Sequence, residues 1–479
     1  MLSAKKREVI EYIDEHASLF TDVSDRIWEF AELSLKEFQS AKLYIDLLKE
    51  HGFAVQENLG GMETAFYGSC GHGRPVIGLL AEFDALSGLN QMKGRTDPIS
   101  EHPGDPGHGC GHNMLGAGSL AAAFALKAYL EKTGAEGTVI FFGCPGEEGG
   151  AGKAFLAKQD VWKNLDCALT WHPGDINEVV SGTNNSCIQV LYEFEGIAAH
   201  AAGDPENGRS ALDAVELMNI GVQYLREHMK SDCRVHYAII DGGGVSPNVV
   251  QAHASVLYMV RAVKSADSKK LLERVDRIAD GAARMTDTTV HRKFIDATAE
   301  IVPNFTLEEL LLENFREIGT PSYTKEEWTY AAAVKKHCPD TSTPGIAARY
   351  SEEAERTLRA LSQSGTRALN DFLSPLVHTN GFVAGSSDVG DVSWQTPTAQ
   401  FHVTAFVAGA PGHSWQNVSC GATSIAHKAL LTAGKILGCS VIDLLDNPAL
   451  LEKARLEFAE KTEGGYLCLI EDGAKPVAL

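Results

Sequence analysis

Three apolar segments of this chain end in loops that carry glycine together with acidic or histidine residues. They are RPVIGLLAEFDAL (74–86), GTVIFFGCPGEEGG (137–150) and LDCALTWHPG (165–174). Each apolar run has the length and composition of a strand that is buried on both faces of a sheet. The alanine-rich stretch MLGAGSLAAAFALKAYLEKTG (114–134) predicts a helix between the first two strands. This alternation predicts a layered α/β sheet, whose ligands bind at the carboxyl ends of its strands.

After the third strand, the order of the predicted elements changes to β-α-β-β-α-β. This order is typical of the ferredoxin-like split βαβ unit, which forms about one small domain. We therefore expect a larger α/β domain, built from residues 1–183 and 301–479, that is interrupted by a small α+β domain at 184–300. Within the last segment, residues near 320–375 predict a polar helical insertion to which the pattern assigns no chemistry.

The charge balance excludes some classes of partner. Lys and Arg number 42 against 63 Asp and Glu, a formal net charge of −21, so nucleic acids and anionic membranes are not expected to bind. The N-terminal MLSAKKREVIEYIDEHASLF predicts a charged amphipathic helix, not a signal peptide. Ten cysteines without the spacing of a disulfide framework indicate free thiols. We expect a cytoplasmic protein.

Side chains of metal-ligand type gather where the predicted strands end. GHGCGHN (107–113) carries Cys110 and His112 directly before the alanine-rich helix, and three further loops carry Glu147, Glu148, His172 and His413. Thiolate, imidazole and carboxylate together suit Zn²⁺ or Mn²⁺. Of two adjacent glutamates, one can bind a metal while the other accepts a proton from water, whose pKa a metal lowers to roughly 7. This set predicts amide or ester hydrolysis.

Three patterns that resemble other active sites fail on inspection. GEEGGAGK lacks the first glycine and the Ser or Thr of a phosphate-binding loop. GAGSLA lies inside the predicted helix, and GSSDVG misses the spacing of a serine-nucleophile turn by one position. One alternative stays open on the residues alone, a cysteine hydrolase in which Cys110 is the nucleophile and His108 or His112 the base.

A longer series of motifs is similar to the M20-type metallo-amidohydrolases, and within them to the amidohydrolase branch. The motifs occur in the family's order over most of the chain: LLAEFDAL, GHGCGHN, PGEEGGAGK, TWHPG, GIAAHAAGDPENGRSALDAV, GGGVSPNVVQAHASVLYMVRA, GSSDVGDVSW and PGHSWQ. The resemblance implies a zinc-peptidase-like α/β catalytic domain and makes the inserted domain a lid and dimerisation domain.

The resemblance also implies a role for each site residue. Two divalent metal ions, Zn or Mn, would be held by Cys110, His112, Glu148, His172 and His413. Glu147 would be the general base and later the general acid, and Asp84 would support a metal ligand from behind. From the lid, His200 would polarise the scissile carbonyl, often in the active site of the partner protomer. Asn248 and Arg261 would grip the carboxylate of the substrate.

At four positions the motifs depart from the family's pattern or have no assigned role. Asn113 stands where many members of this branch have aspartate, and Glu82 stands where other branches offer a histidine ligand. Asp388 and Asp391 lie in a loop that the family brings to the active site.

The activity implied by the resemblance is hydrolysis of the amide bond between an acyl or aroyl group and an amino acid. The expected substrate is p-aminobenzoyl-glutamate, which would yield p-aminobenzoate and glutamate. Another N-acyl-amino-acid amidohydrolase or a dipeptidase is the alternative, and a metal-binding subunit that supports a related catalytic chain is the non-enzymatic one. We expect a homodimer formed through the lid domain, or a hetero-oligomer with a related subunit.

Overall fold

The computed structural model describes residues 2–339 and 343–478. Its strands are β1 (Ala54–Glu57), β2 (Phe66–His72), β3 (Val76–Ala81), β4 (Gly137–Gly143), β5 (Cys167–Gly174), β6 (Glu178–Val179), β7 (Ser186–Glu195), β8 (Arg234–Asp241), β9 (His253–Ala262), β10 (Thr289–Thr298) and β11 (Thr398–Thr404). Its α-helices are α1 (Ala4–Glu15), α2 (Ala17–Phe30), α3 (Phe38–Glu50), α4 (His112–Thr133), α5 (Gly152–Lys158), α6 (Ala211–Leu225), α7 (Ser265–Thr286), α8 (Phe305–Ile318), α9 (Lys325–Lys335), α10 (Glu352–Leu361), α11 (Val389–Ser393), α12 (Trp415–Cys420), α13 (Ser424–Asp446) and α14 (Pro448–Lys461).

The larger sheet has the strand order β1-β2-β4-β3-β5-β11-β6. Its four central strands, β4, β3, β5 and β11, are parallel, whereas β1, β2 and β6 pair in antiparallel fashion at the two edges. Three of the central strands, β3, β4 and β5, lie within the apolar runs 74–86, 137–150 and 165–174. Because parallel strands share one direction, their carboxyl ends and the loops that follow them meet at a single edge of the sheet.

Helix α4 fits closely against this sheet because it is rich in small residues. Every residue from His112 to Leu126 is buried, as expected for a helix that is apolar all round. A Cβ added at Gly118 would lie 2.8 Å from the indole nitrogen of Trp171 on β5, and one at Gly116 would lie 2.3 Å from the hydroxyl of Tyr44. The glycines of GAGSLA therefore serve packing, and α4 carries His112 at its first position to the carboxyl edge.

The smaller sheet has the antiparallel order β10-β7-β9-β8, and α6 and α7 pack on it. The chain order β7-α6-β8-β9-α7-β10 is the β-α-β-β-α-β pattern expected from the sequence. The α/β fold class with an inserted ferredoxin-like unit is thus confirmed, and the division after residues 183 and 300 stays a prediction.

The segment near 320–375 contains α9 and α10, as its helical pattern predicts. Ala331 and Val334 of α9 pack in the main core, and a separate small apolar cluster consists of Ile176, Ala347, Ala354 and Leu358. Within residues 2–339 and 343–478, no helix combines the length and the apolar character that crossing a membrane requires.

Candidate metal centre

The predicted ligand residues lie at the carboxyl edge of the four parallel strands. His172 is near the end of β5, and Glu147 and Glu148 follow β4 by a few residues. His413 lies in the loop after β11, in a left-handed backbone conformation with φ of 53°. Cys110 comes directly before α4, on which His112 is the first residue. Four separate segments thus converge on one place.

Glycines in GHGCGHN allow this convergence. Gly111 has a φ of 81° and a Cβ there would lie 2.8 Å from the Phe406 ring. A Cβ at Gly109 would lie 2.6 Å from Leu89 and 3.2 Å from the backbone of His413. Only residues without a side chain let the turn lie this close to the His413 loop, which brings Cys110 next to it.

The ligand atoms of the five predicted ligands form two groups. The atoms of Cys110, His112 and His172 lie within 4.8 Å of one another, and so do those of Cys110, Glu148 and His413. The Sγ of Cys110 is 3.4 Å from Nε2 of His172, and Glu148 Oε1 is 3.4 Å from Nε2 of His413. Cys110 belongs to both groups and therefore lies between them.

The chemistry of these residues fits divalent metal ions. Nε2 of His112 and Oε1 of Glu148 are buried and make no well-directed hydrogen bond in the described part of the chain, although Glu82 and His413 lie 3.2 and 3.4 Å from them. Buried polar atoms in such a position cost free energy unless something else binds them. Thiolate, imidazole and carboxylate are donors that transition-metal dications accept. The two groups thus have the composition and the unsatisfied atoms of a dinuclear site.

Asp84 organises the centre from behind. One carboxylate oxygen accepts a hydrogen bond from Nδ1 of His112 at 2.8 Å, so Nε2 faces the ligand group. The other oxygen accepts from the Ser34 hydroxyl at 2.7 Å and from the backbone N–H of Glu148 at 2.9 Å. Burial alone would raise the pKa of Asp84, but His112 and these hydrogen bonds outweigh it and lower the pKa to about 2. Asp84 stays charged and orients both a histidine and the glutamate loop.

Glu147 has an environment suited to proton transfer. Its carboxylate lies within 4.8 Å of ligand atoms of Glu82 and His112. Burial, together with the nearby carboxylates of Glu82 and Glu148, raises its pKa well above the ordinary value. Such a carboxyl holds a proton more readily than a solvated glutamate does, which suits a group that must accept and later donate one.

A buried ion-pair chain beside the centre was not predicted from the sequence. Lys153, fully buried, lies with its Nζ 2.7 Å from Glu82 Oε1 and 2.5 Å from Asp388 Oδ1. The second oxygen of Glu82 is 3.2 Å from Nε2 of His112. The lysine stands in PGEEGGAGK, a motif from which only Glu147 and Glu148 were assigned roles on the sequence.

The two residues expected to reach the substrate from the small domain, His200 and Asn248, lie in adjacent loops. His200 is exposed, and its Nδ1 accepts hydrogen bonds from the backbone N–H groups of Ala202 and Gly203 at 3.2 and 3.0 Å. A neutral ring in this arrangement carries its proton on Nε2, where it can donate. The backbone carbonyl of Asn248, which is also exposed, accepts from Ala201 N–H. Neither residue belongs to the ligand groups of the described chain.

Arg261, on β9, reaches toward the loop that precedes α11. Its guanidinium donates to the Ser386 hydroxyl at 3.1 Å and contacts the sulfur of Met259. In residues 2–339 and 343–478, no carboxylate forms an ion pair with it. The guanidinium therefore keeps donors for another acceptor.

Three further residues named in the sequence analysis support the fold. Asn113 is buried on α4 and donates from its amide to Ser24 and to the Gly421 carbonyl at 2.9 Å. His108, also buried, has Nε2 3.0 Å from the Ile27 carbonyl oxygen. Asp391 accepts from Tyr466 and from a backbone N–H. These contacts hold the loops under the centre together.

The chain is similar in sequence and in fold to known peptidases and amidohydrolases. A family model of the M20 peptidase dimerisation domain matches residues 184–286. The chain is 42% identical to a p-aminobenzoyl-glutamate hydrolase subunit of Escherichia coli K12, over 99% of this chain and 100% of that protein. It is 28% identical to the Xaa-Arg dipeptidase of Mus musculus, over 96% and 94% of the two chains. A dinuclear metal-binding peptidase of the M20 family from Bacillus subtilis shares the fold, with a TM-score of 0.54, 17% identity and coverage of 90% and 99%.

These matches agree with the motif series and with the two ligand groups. The region matched by the dimerisation-domain model contains β7, β8 and β9 together with α6 and α7, so it covers the inserted unit except its last strand, β10. The full-length identity extends the relationship to the larger domain, where the ligand groups lie. The chain therefore belongs to the M20 family and is a metallo-amidohydrolase that acts on amide bonds.

Proposed function

We propose that this enzyme hydrolyses p-aminobenzoyl-glutamate to p-aminobenzoate and glutamate. The observation that carries the proposal is the 42% identity, over the whole of both chains, to the Escherichia coli protein that bears this activity in its name. The described residues support it, because a dinuclear ligand set, a half-buried glutamate with a raised pKa and an arginine without a carboxylate partner are the groups that this hydrolysis needs.

The proposed cofactor is a pair of Zn²⁺ or Mn²⁺ ions. One would be held by Cys110, His112 and His172, the other by Cys110, Glu148 and His413, so that the thiolate of Cys110 would serve both. When bound, such ions supply Lewis acidity that lowers the pKa of water and polarises a carbonyl. This assignment follows from ligand composition, since imidazole and thiolate favour transition metals over Mg²⁺ or Ca²⁺.

The protein's own groups would carry the proton transfers. The carboxylate of Glu147 accepts a proton from the attacking water, whose oxygen forms the new bond to the scissile carbon. The C–N bond then breaks, and Glu147 returns the proton to the leaving nitrogen. The Nε2–H of His200 donates to the carbonyl oxygen as negative charge develops there. Arg261 and Asn248 hold the carboxylate of the glutamate product.

We further propose a homodimer that forms through the inserted domain. The domain matches an M20 dimerisation model, and its edge strand β8 exposes Tyr237, Ile239 and Ile240. Exposed apolar side chains on an edge strand are typical of a surface that pairs with another chain. In the dimer, His200 of one protomer would complete the site of the other. A cytoplasmic location is part of this proposal.

A variant of Glu147 tests the proposal directly. Glu147→Ala should lower turnover of p-aminobenzoyl-glutamate by at least about 100-fold, because the proton acceptor is lost. Its metal content, measured by plasma emission spectrometry, should stay near that of the wild type. Glu63→Ala, which removes an exposed glutamate, is the matched control and should leave both unchanged. Retained turnover in Glu147→Ala would falsify the role of Glu147.

A supporting-subunit role is the second candidate, and the word "subunit" in the relative's name favours it. An assay of the purified chain alone with p-aminobenzoyl-glutamate distinguishes an enzyme from a supporting subunit. Turnover by this chain alone supports the proposed activity. Turnover that appears only after a second, related chain is added supports the alternative. Loss of turnover on chelation would also exclude the cysteine-hydrolase alternative, which needs no metal.

A further inference from the structure

One histidine at the carboxyl edge has no role in the proposed mechanism. His402 on β11 pairs in register with His172 on β5, so both side chains leave the same face of the sheet at the same level. Their ring centroids are 6.0 Å apart. On the other side, β6 pairs with β11 so that Glu178 lies opposite His402. The three residues therefore form a row across three strands, and the row begins at a proposed metal ligand.

The hydrogen bonds of His402 determine which of its nitrogens is available. Nδ1 is 3.1 Å from Oε1 of Glu178, so a neutral ring donates from Nδ1 and carries its lone pair on Nε2. No group in residues 2–339 and 343–478 forms a hydrogen bond with Nε2, and the His402 side chain is 26% exposed. Nε2 is thus an acceptor without a partner in the described residues, on a partly exposed ring beside the centre.

The insertion near 320–375 holds this acceptor in place. The second carboxylate oxygen of Glu178 accepts a hydrogen bond from the backbone N–H of Ile346 at 2.8 Å. Gly345 adopts a φ of 91°, and a Cβ there would lie 3.2 Å from the same oxygen. The neighbouring Ala347 packs with Leu358 of α10 in the small apolar cluster. Glu178 is therefore fixed by the insertion, and it fixes the ring of His402.

We propose that His402 is a specificity-determining residue that accepts a hydrogen bond from the amino group on the aroyl ring. This inference rests on the proposed function. Apart from the scissile amide, p-aminobenzoyl-glutamate offers carboxylates, which only accept, and one aryl amine, which donates. A lone pair on Nε2 suits only the amine. The His402 ring is in edge contact with the ring of His172, with centroids 6.0 Å apart, so it lies directly beside a ligand of the centre at which the scissile carbonyl would bind.

The test compares two substrates that differ by this amine, p-aminobenzoyl-glutamate and benzoyl-glutamate. The wild type should prefer the first in kcat/KM by roughly tenfold, which is what one hydrogen bond contributes at a partly exposed site. His402→Phe keeps a ring but has no acceptor, and its preference should fall to near one while benzoyl-glutamate turnover changes less than about threefold. His291→Phe, which replaces an exposed histidine on β10, is the control and should keep the wild-type preference.

A second variant covers the case that phenylalanine disturbs folding. His402→Asn is polar and too short to replace Nε2, so it should also abolish the preference. If either folded variant keeps the wild-type preference, or loses turnover of both substrates equally, the inference is wrong and the proposed function stands. If the wild type hydrolyses neither substrate, the proposed function fails, and this inference fails with it.

Discussion

Removal of Lys153, which is fully buried, should destabilise this protein more than removal of any exposed lysine. Lys153 is the cation shared by the carboxylates of Glu82 and Asp388, at 2.7 and 2.5 Å, and all three side chains are buried. In Lys153→Met, the hydrocarbon part of the side chain is approximately retained and the charge is lost. Two carboxylates then stay in a site with little water and without their counter-ion.

The magnitude follows from these distances. At an effective dielectric constant of roughly 20, each contact is worth about 6 kcal/mol of Coulomb attraction. Burial of the ammonium group costs several kcal/mol of hydration free energy and offsets part of that gain. Removal of one member of a buried pair typically costs about 3–5 kcal/mol, because the partner is left unpaired. We expect the free energy of unfolding to fall by this amount.

The assay is unfolding in urea with a chelator present, followed by circular dichroism, so that metal binding does not contribute. Lys163→Met is the matched control. Lys163 pairs with Asp160 at 2.9 Å but is 58% exposed, and such pairs contribute at most about 1 kcal/mol. The double variant Lys153→Met, Asp388→Asn should recover part of the loss, because one unpaired charge is gone. If Lys153→Met unfolds at the same urea concentration as the control, the ion-pair chain is not a stabilising unit.

Three other substitutions test the surroundings of the centre. Asp84→Asn should weaken metal binding about 10–100-fold in a chelator competition, because the charge that orients His112 is lost; unchanged affinity would contradict this role. Asn113→Asp should lower the free energy of unfolding by about 1–3 kcal/mol, because a carboxylate cannot donate to the Gly421 carbonyl; equal stability would show that the amide is not needed. Burial raises the pKa of Asp391 to about 7, whereas the same carboxyl in the unfolded chain loses its proton near pH 4. The native state therefore binds one proton more over this interval, and the stability contributed by this group falls as pH rises from about 4 to 7. Asp391→Asn should therefore show a shallower decline over that interval, and parallel pH profiles for the two proteins would refute the assignment.

The layered fold was predictable because its signals are local. A strand buried on both faces must be apolar throughout, so β3, β4 and β5 stand out as uninterrupted runs. The helix α4 was also predicted, although it begins at His112, two residues before the expected start. The loop that carries His413 follows β11, which pairs with β5. Periodicity identifies elements well, since it depends only on neighbours in the chain.

The site was predictable to the extent that its residues follow strands. His172, Glu147 and Glu148 come at strand ends, where the topology of a parallel sheet brings them together. Contacts between distant segments gave no such signal. His402 and Glu178 are more than 200 residues apart along the chain, and only the pairing of β11 with β6 makes them neighbours. The partnership of Lys153 with Glu82 depends in the same way on tertiary packing.

The charges gathered at the carboxyl edge explain why such a site needs metal ions. Five buried or half-buried carboxylates lie close together there, namely Glu82, Asp84, Glu147, Glu148 and Asp388. Lys153 supplies one positive charge, and an unpaired buried carboxylate costs several kcal/mol. Two divalent cations would supply four further positive charges and leave the group close to neutral. Metal ions held by Cys110 and the histidines would therefore stabilise the acidic residues that make Glu147 a good proton acceptor.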